Sequence, residues 1–255
     1  MGYMRSLALA VLLCSGMAIP RAYAQKPFYL GVEGGVGIPN LTAGGSSPVS
    51  KGYSSILGPD FGVFAEYGWK KRWSLRAELS FVTEGGKKNG VQAIPTAPFA
   101  AYFPQGYTPP EYFYATFYSK ARLNYLQLPL LAKYKMPLGA HWTLSVNLGP
   151  YVAYLLNAKT ITKDSSMIYY DPQEQQPFPV GKQDFSGTED ITDQIHRFNC
   201  GFQGGIAIEH PCGHGYLFLN AGGSYGVINI QRYAEDGKNN TGSATAVIGY
   251  ALRIR

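Results

Sequence analysis

Residues 61–84, FGVFAEYGWKKRWSLRAELSFVTE, place Phe61, Val63, Tyr67, Trp69, Trp73, Leu75, Leu79 and Phe81 on one parity and Glu66, Arg76 and Glu78 on the other. A period of two is that of a β-strand, whose successive side chains point to opposite faces. The pattern recurs in FYLGVEGGVGI, where Phe28, Leu30, Val32, Val36 and Ile38 alternate with Glu33 and glycines. It returns in HWTLSVNLGPYV, where Trp142, Leu144, Val146 and Leu148 alternate with Thr143, Ser145 and Asn147. In FNCGFQGGIAIE the polar set is Asn199, Gln203 and Glu209, and the last segment opposes Ile248, Tyr250, Leu252 and Ile254 to Arg253.

Eight such segments are predicted, at about 28–38, 59–69, 72–84, 122–136, 141–156, 197–210, 215–228 and 243–255. Globular strands usually run to about 5–6 residues. A tilted strand that crosses a bilayer needs about 9–11, and all eight reach that length.

The connections separate a soluble sandwich from a membrane barrel. KKR, PLGA and PCGHG close three tight turns, while 39–58, 85–121, 157–196 and 229–242 are long. Alternating short and long connections mark an outer-membrane barrel, with periplasmic turns at one end and external loops at the other. The sequence therefore predicts an all-β fold: an eight-stranded antiparallel transmembrane β-barrel with short periplasmic turns and long external loops. Its apolar parity faces lipid and its polar parity faces the lumen.

An eight-stranded interior is just wide enough for side chains to fill, so no pore is expected. Glu33, Glu66, Arg76, Glu78, Glu209 and Arg253, with Lys133, are assigned to the lumen. Unpaired charges there would be costly, so a mutually paired structural network is expected in preference to a proton path or an active site. Trp69, Trp73 and Trp142 all flank short turns, where a periplasmic aromatic belt lies.

Residues 1–24 have Arg5 before a short apolar run and close on Ala22-Tyr23-Ala24, the form of a signal peptide cleaved near Ala24. Gly16, Pro20 and Arg21 interrupt the run, and Leu13 precedes Cys14 where lipidation expects a small residue. Residues 25–255 are then one outer-membrane barrel domain. Loss of the leader lowers the formal charge from +6 to +4, which implies no nucleic-acid partner. Cys200 and Cys212 would lie about 40 Å apart on one extended strand, too far to bond. No CxxC pair, phosphate-binding glycine loop or spaced DxDxDG pattern is present, so no cofactor or metal is expected.

Two loops carry individuality. The segment 85–121 holds Tyr102, Tyr107, Tyr112, Tyr114 and Tyr118 among prolines. Tyrosine supplies contact area at low entropic cost, which suits a binding surface. The alternative is that part of the segment extends the strands above the membrane. The loop 157–196 is rich in Asp and Glu and reads as a solvated acidic chain. A lipid-modifying enzyme would need a Ser or His with a carboxylate at the external end; only His196 sits there, with Asp193 and Glu189 nearby to orient it.

The stretches SLRAELSFVTEGGKK, LNYLQLPLLAKYKM, LSVNLGPYVAYLLNAK and FNCGFQGGIAIE resemble the PorT-type outer-membrane β-barrel family of the Bacteroidetes. The likeness runs from about 28 to 255 outside the long loops, and YLQLPLLAKYK followed by GPYVAYLL is its most specific part. It implies an eight-stranded outer-membrane barrel, most of whose relatives have no assigned activity and whose founding member is associated with type IX secretion. Two departures are the ending ALRIR, where such barrels usually end on an aromatic residue, and FLNAGGSYGV, where the family commonly carries a Glu and an Arg.

The functional expectation is a non-enzymatic outer-membrane barrel, structural or partner-binding through its external loops. Its partners would be outer-membrane lipid and envelope proteins, secretion proteins or a surface ligand. The alternatives are an accessory component of a type IX-like secretion system and a lipid-modifying enzyme.

Overall fold

A computed structural model describes residues 26–255; the expected leader, residues 1–24, lies outside them. Eight strands are long: β1 (Phe28–Ala43), β2 (Gly58–Lys70), β3 (Trp73–Pro95), β4 (Tyr112–Leu138), β5 (Trp142–Lys163), β6 (Phe198–Cys212), β7 (Gly215–Gly226) and β8 (Asn239–Arg253). Each pairs antiparallel with its sequence neighbours, and β1 also pairs with β8 from Tyr29↔Arg253 to Ala43↔Asn239. The ring is closed, which removes the free edges of an open sheet.

The parity read from the sequence is the parity of the wall. Leu30, Val32, Val63, Leu79, Leu128, Leu148, Ile206, Leu219 and Ile248 are exposed on the outside, whereas Glu66, Arg76, Glu78, Lys133 and Glu209 are buried inside. Apolar groups outward and charges inward is the reverse of a soluble barrel and matches lipid as the outer solvent. The short turns lie at 71–72, 139–141 and 213–214. Cys200 and Cys212 are both free.

The strands run past the expected boundaries at the external end. β3 continues to Pro95, not to about 84, and β4 starts at Tyr112, not at about 122; their register holds from Gly85↔Arg122 to Pro95↔Tyr112. β5 likewise continues to Lys163, with the short strand Gly187–Asp190 paired to its upper end. Most of the expected loop 85–121 is therefore hairpin, and the irregular part is 96–111. Above the bilayer no lipid enforces one apolar face, so GGKKNGVQ pairs without alternating.

Two apolar clusters lie inside the ring. Near the periplasmic end Phe64, Tyr216, Phe218 and Ala251 pack together. At the external end Leu41, Leu123, Tyr125, Leu155 and Ala158 of the wall receive Ile195 and Ile230 from two loops, with Tyr53 from a third against them. These loops fold inward and plug the barrel. Bonds among them hold the plug: Asn239 Nδ2 donates to Ser50 O at 3.0 Å and the Lys238 N–H to Ser50 Oγ at 2.7 Å.

Candidate functional site

The lumenal charges are built by parity. Glu66 on β2, Arg76 and Glu78 on β3, Lys133 and Lys135 on β4 and Glu209 on β6 all sit on inward positions of strands that close around one axis. Nearest the periplasm, Lys133 Nζ lies 3.0 Å from Glu66 and 2.6 Å from Glu209, while Lys135 Nζ lies 2.5 Å from Glu66 and 3.8 Å from Glu209. Tyr216 donates to Glu66 at 2.7 Å and Ser145 to Glu209 at 2.7 Å. Two cations and two carboxylates cross-bond with further donors, the condition under which buried ion pairs are tolerated.

One layer up, Arg76 reaches Glu33 at 2.5 Å and Glu78 at 2.6 Å. Its guanidinium lies 3.6 Å from the Phe64 ring centre and 5.0 Å from that of Phe218. Each ring stands over a glycine of the neighbouring strand: a Cβ on Gly31 would meet Phe64 Cζ at 2.2 Å, and one on Gly249 would meet Phe218 Cζ at 2.4 Å. The rings need those glycines, as in designed sheets where aromatic residues cover them.

Arg253 does not join this network. It is exposed at the periplasmic mouth, where its Nε donates to Arg255 O at 2.9 Å. Parity set its face correctly, but it ends its strand, below the height at which the carboxylates lie. Lys135 takes a place that the sequence reading left empty, although it shares the parity of Lys133. The mouth is a cavity of about 660 Å³ with Lys135, Glu209, His214 and Arg253 on its walls.

On the outer face above the short turns, Trp69 stacks on Trp73 at 6.4 Å, Trp73 meets Tyr134 at 4.9 Å, and Trp142 meets His210 at 4.6 Å between ring centres. All three tryptophans are exposed, where the periplasmic lipid interface would be.

At the opposite end, the β3–β4 hairpin carries the candidate tyrosines but does not gather them. Tyr102 and Tyr107 sit on the irregular tip, whereas Tyr112, Tyr114 and Tyr118 lie along β4. The base of the tip is fastened by Thr96, which donates to Pro110 O at 2.5 Å. Below it, Phe113 is buried among Phe103, Tyr170 and Phe178, with ring centres 6.2, 5.5 and 4.7 Å away. Tyr170 and Phe178 come from the next loop, so the two long connections share one aromatic core. Tyr102 remains 85% exposed and Phe99 48%.

The acids of that next loop are largely solvated, as expected, and they also act as caps and ties. Asp171 accepts the N–H groups of Gln173 at 3.0 Å, Gln175 at 3.2 Å and Gln176 at 2.8 Å. Although desolvation opposes it, these backbone bonds hold the Asp171 carboxyl below the usual carboxylate range. Glu174 accepts from Thr116 at 2.5 Å, and Tyr169 exchanges both backbone bonds with Tyr114 at 2.9 and 2.8 Å. Asp193 pairs with Arg197 at 3.1 Å and Glu189 accepts from Gln194 at 3.3 Å, so both carboxylates beside His196 are engaged elsewhere.

Residues 23–232 match the family described as outer membrane protein beta-barrel domain. No curated protein matches the sequence significantly. Among solved structures, the chain is similar to Neisserial surface protein A at 11% identity, covering 87% of this chain and 95% of that one with a TM-score of 0.40. It is similar to Ail, the attachment invasion locus protein of Yersinia pestis, at 10% identity, covering 89% and 99% with a TM-score of 0.38. For OprG of Pseudomonas aeruginosa the values are 12% identity, 89% and 97% coverage and a TM-score of 0.35. With the family match spanning most of the sequence and a closed ring of eight strands beneath it, the chain belongs to the outer membrane protein beta-barrel domain family and resides in the outer membrane.

Proposed function

We propose that the protein is a non-enzymatic barrel that engages an envelope protein through the tip of its β3–β4 hairpin. The observation that carries this reading is a pair of exposed aromatic residues, Tyr102 and Phe99, held on a buttressed tip. Rigid aromatic side chains that are already ordered lose little entropy on contact and act as anchors. The tip stands on the Phe103–Phe113–Phe178 packing and on the Thr96 fastening, so it is presented in one conformation. The engagement of Asp193 and Glu189 away from His196 supports the non-enzymatic part.

The narrower kinship to PorT-type barrels supports a secretion component as the class of partner. Its most specific stretch supplies Gln127 and Lys133 to the lumen and Leu126, Leu128 and Leu130 to the lipid face, so the stretch describes the wall and leaves specificity to the tip.

Mild chemical crosslinking of the whole protein in native membranes tests the reading. A discrete crosslinked envelope protein is expected, lost when 97–109 is replaced by a short turn while the heat-modifiable gel shift of the barrel persists. An unchanged crosslinking pattern in that variant refutes the binding reading, and loss of a membrane lipid modification in His196→Ala replaces it with the enzyme.

A further inference from the structure

Charge is unevenly distributed along the lumen. Among the described residues, the lowest layer balances Glu66 and Glu209 against Lys133 and Lys135, and the next sets Glu33 and Glu78 against Arg76 alone. Above them Asp60 and Glu84 have no cation within ion-pair distance among the described residues. Glu84 is buried, and its Oε2 has no hydrogen-bond partner. Two uncompensated carboxylates in a low-dielectric interior are costly, and each pulls toward a positive charge.

Space for that charge is present. Asp60 and Glu84 line one cavity of about 20 Å³, together with Gln127, Ser224 and Thr245. About 10–15 Å³ is enough for one water-sized particle. A second cavity of about 20 Å³ shares Asp60, Gln127 and Thr245 and continues to Glu33 and Glu78, so the acidic lining runs unbroken down to Arg76. The donors are carboxylate, amide and hydroxyl oxygens, without His or Cys. Hard cations select such a set and soft metals do not.

We propose that this cavity binds one hard cation, with Asp60 and Glu84 as its charged ligands and the side-chain oxygens of Gln127, Ser224 and Thr245 as neutral ones. Calcium, which takes about 6–8 oxygens and tolerates irregular geometry, is the appropriate probe. The ion supplies the positive charge that the upper lumen lacks, and it ties β2, β3, β4, β7 and β8 together beneath the plug.

The full barrel, refolded in detergent with calcium or with EDTA and freed of loose metal by gel filtration, tests this by metal analysis and by the temperature at which the folded gel band is lost. One retained calcium per chain and a higher loss temperature with calcium are expected. Glu84→Gln and Asp60→Asn should each lose the ion and the calcium-dependent rise, while Glu174→Gln, on the external loop, should keep both. Wild-type protein that elutes without metal and melts alike in calcium and EDTA refutes the proposal and leaves protonation as the way these carboxyls are neutralised. Retention by folded Glu84→Gln refutes it equally.

Discussion

The two ends of this lumen are filled by different means. At the periplasmic end, Lys133 and Lys135 cross-pair with Glu66 and Glu209, and Arg76 is clamped between carboxylates and aromatic rings. At the external end, loops insert Ile195, Ile230 and Tyr53 among Leu123, Leu155 and Leu41. A short turn has no chain to spare for a plug, so its half must be filled from the wall, and a wall residue reaches the axis best with a long side chain. Several of the long side chains that do so here are charged, and buried charges are tolerated best when paired. Where the connections are long, apolar loop residues can do the filling without any desolvation penalty.

This contrast ranks the consequences of mutation. The largest loss is expected for Lys133→Met, which leaves Glu66 and Glu209 sharing Lys135 alone; removing one partner of a buried ion pair costs about 3–5 kcal/mol. Urea unfolding in vesicles measures it, and adding Glu209→Gln should recover part of the loss. A loss below about 1 kcal/mol would mean that water already compensates the lower layer.

At the other end Leu155→Ala should cost about 2–5 kcal/mol, as a cavity in a packed core does. It should leave the lower layer intact, so its effect should add to that of Lys133→Met within about 0.5 kcal/mol. Strong coupling between the two would show that the ends are one core.

A smaller effect separates the ends by pH. Lys88, above the bilayer on β3, donates to Val49 O and stands 4.3 Å from the Tyr53 ring. Burial lowers its pKa from 10.5 to about 8. The unfolded chain therefore binds the extra proton between about pH 8 and 10.5, and stability should rise with pH across that window. Burial, with Asp236 adding to it, raises Tyr53 from 10.0 to about 12, which opposes the rise above pH 10. The rise should vanish in Lys88→Met, as followed by urea midpoints from pH 7 to 10. A rise that survives the substitution would assign it to another group. The smallest effect is expected for Arg253→Ala, within about 0.5 kcal/mol by the same assay, because Arg253 stands at the mouth outside the paired layer.

The sequence made the membrane-spanning wall legible because lipid imposes a period that each strand carries locally. Face assignment followed from parity, so Glu33, Glu66, Arg76, Glu78 and Glu209 were found. Height along the axis is set by register between strands, which no single segment encodes. Arg253 was therefore placed too high, and Lys135 and Tyr216 were not joined to Glu66. Asp60 and Glu84 shared the inward parity of Arg76 and Glu78, and nothing local revealed that no cation would stand beside them. The external hairpin was hidden for a related reason: GGKKNGVQ and YFYATFYSK pair with each other, but neither alternates as a lipid-facing strand does. The Asp171 capping was readable only from Asp followed by a polar run, a turn signal rather than a flexible one.

The rings of Phe64 and Phe218 rest on Gly31 and Gly249, which belong to the first and last strands of the barrel. Arg76 lies over both rings, so a side chain from β3 spans the line where the chain's two ends meet. Parting β1 from β8 would break their ladder and also pull the two rings from under one guanidinium. The seam is thereby latched from within by side chains of three strands that do not themselves form it.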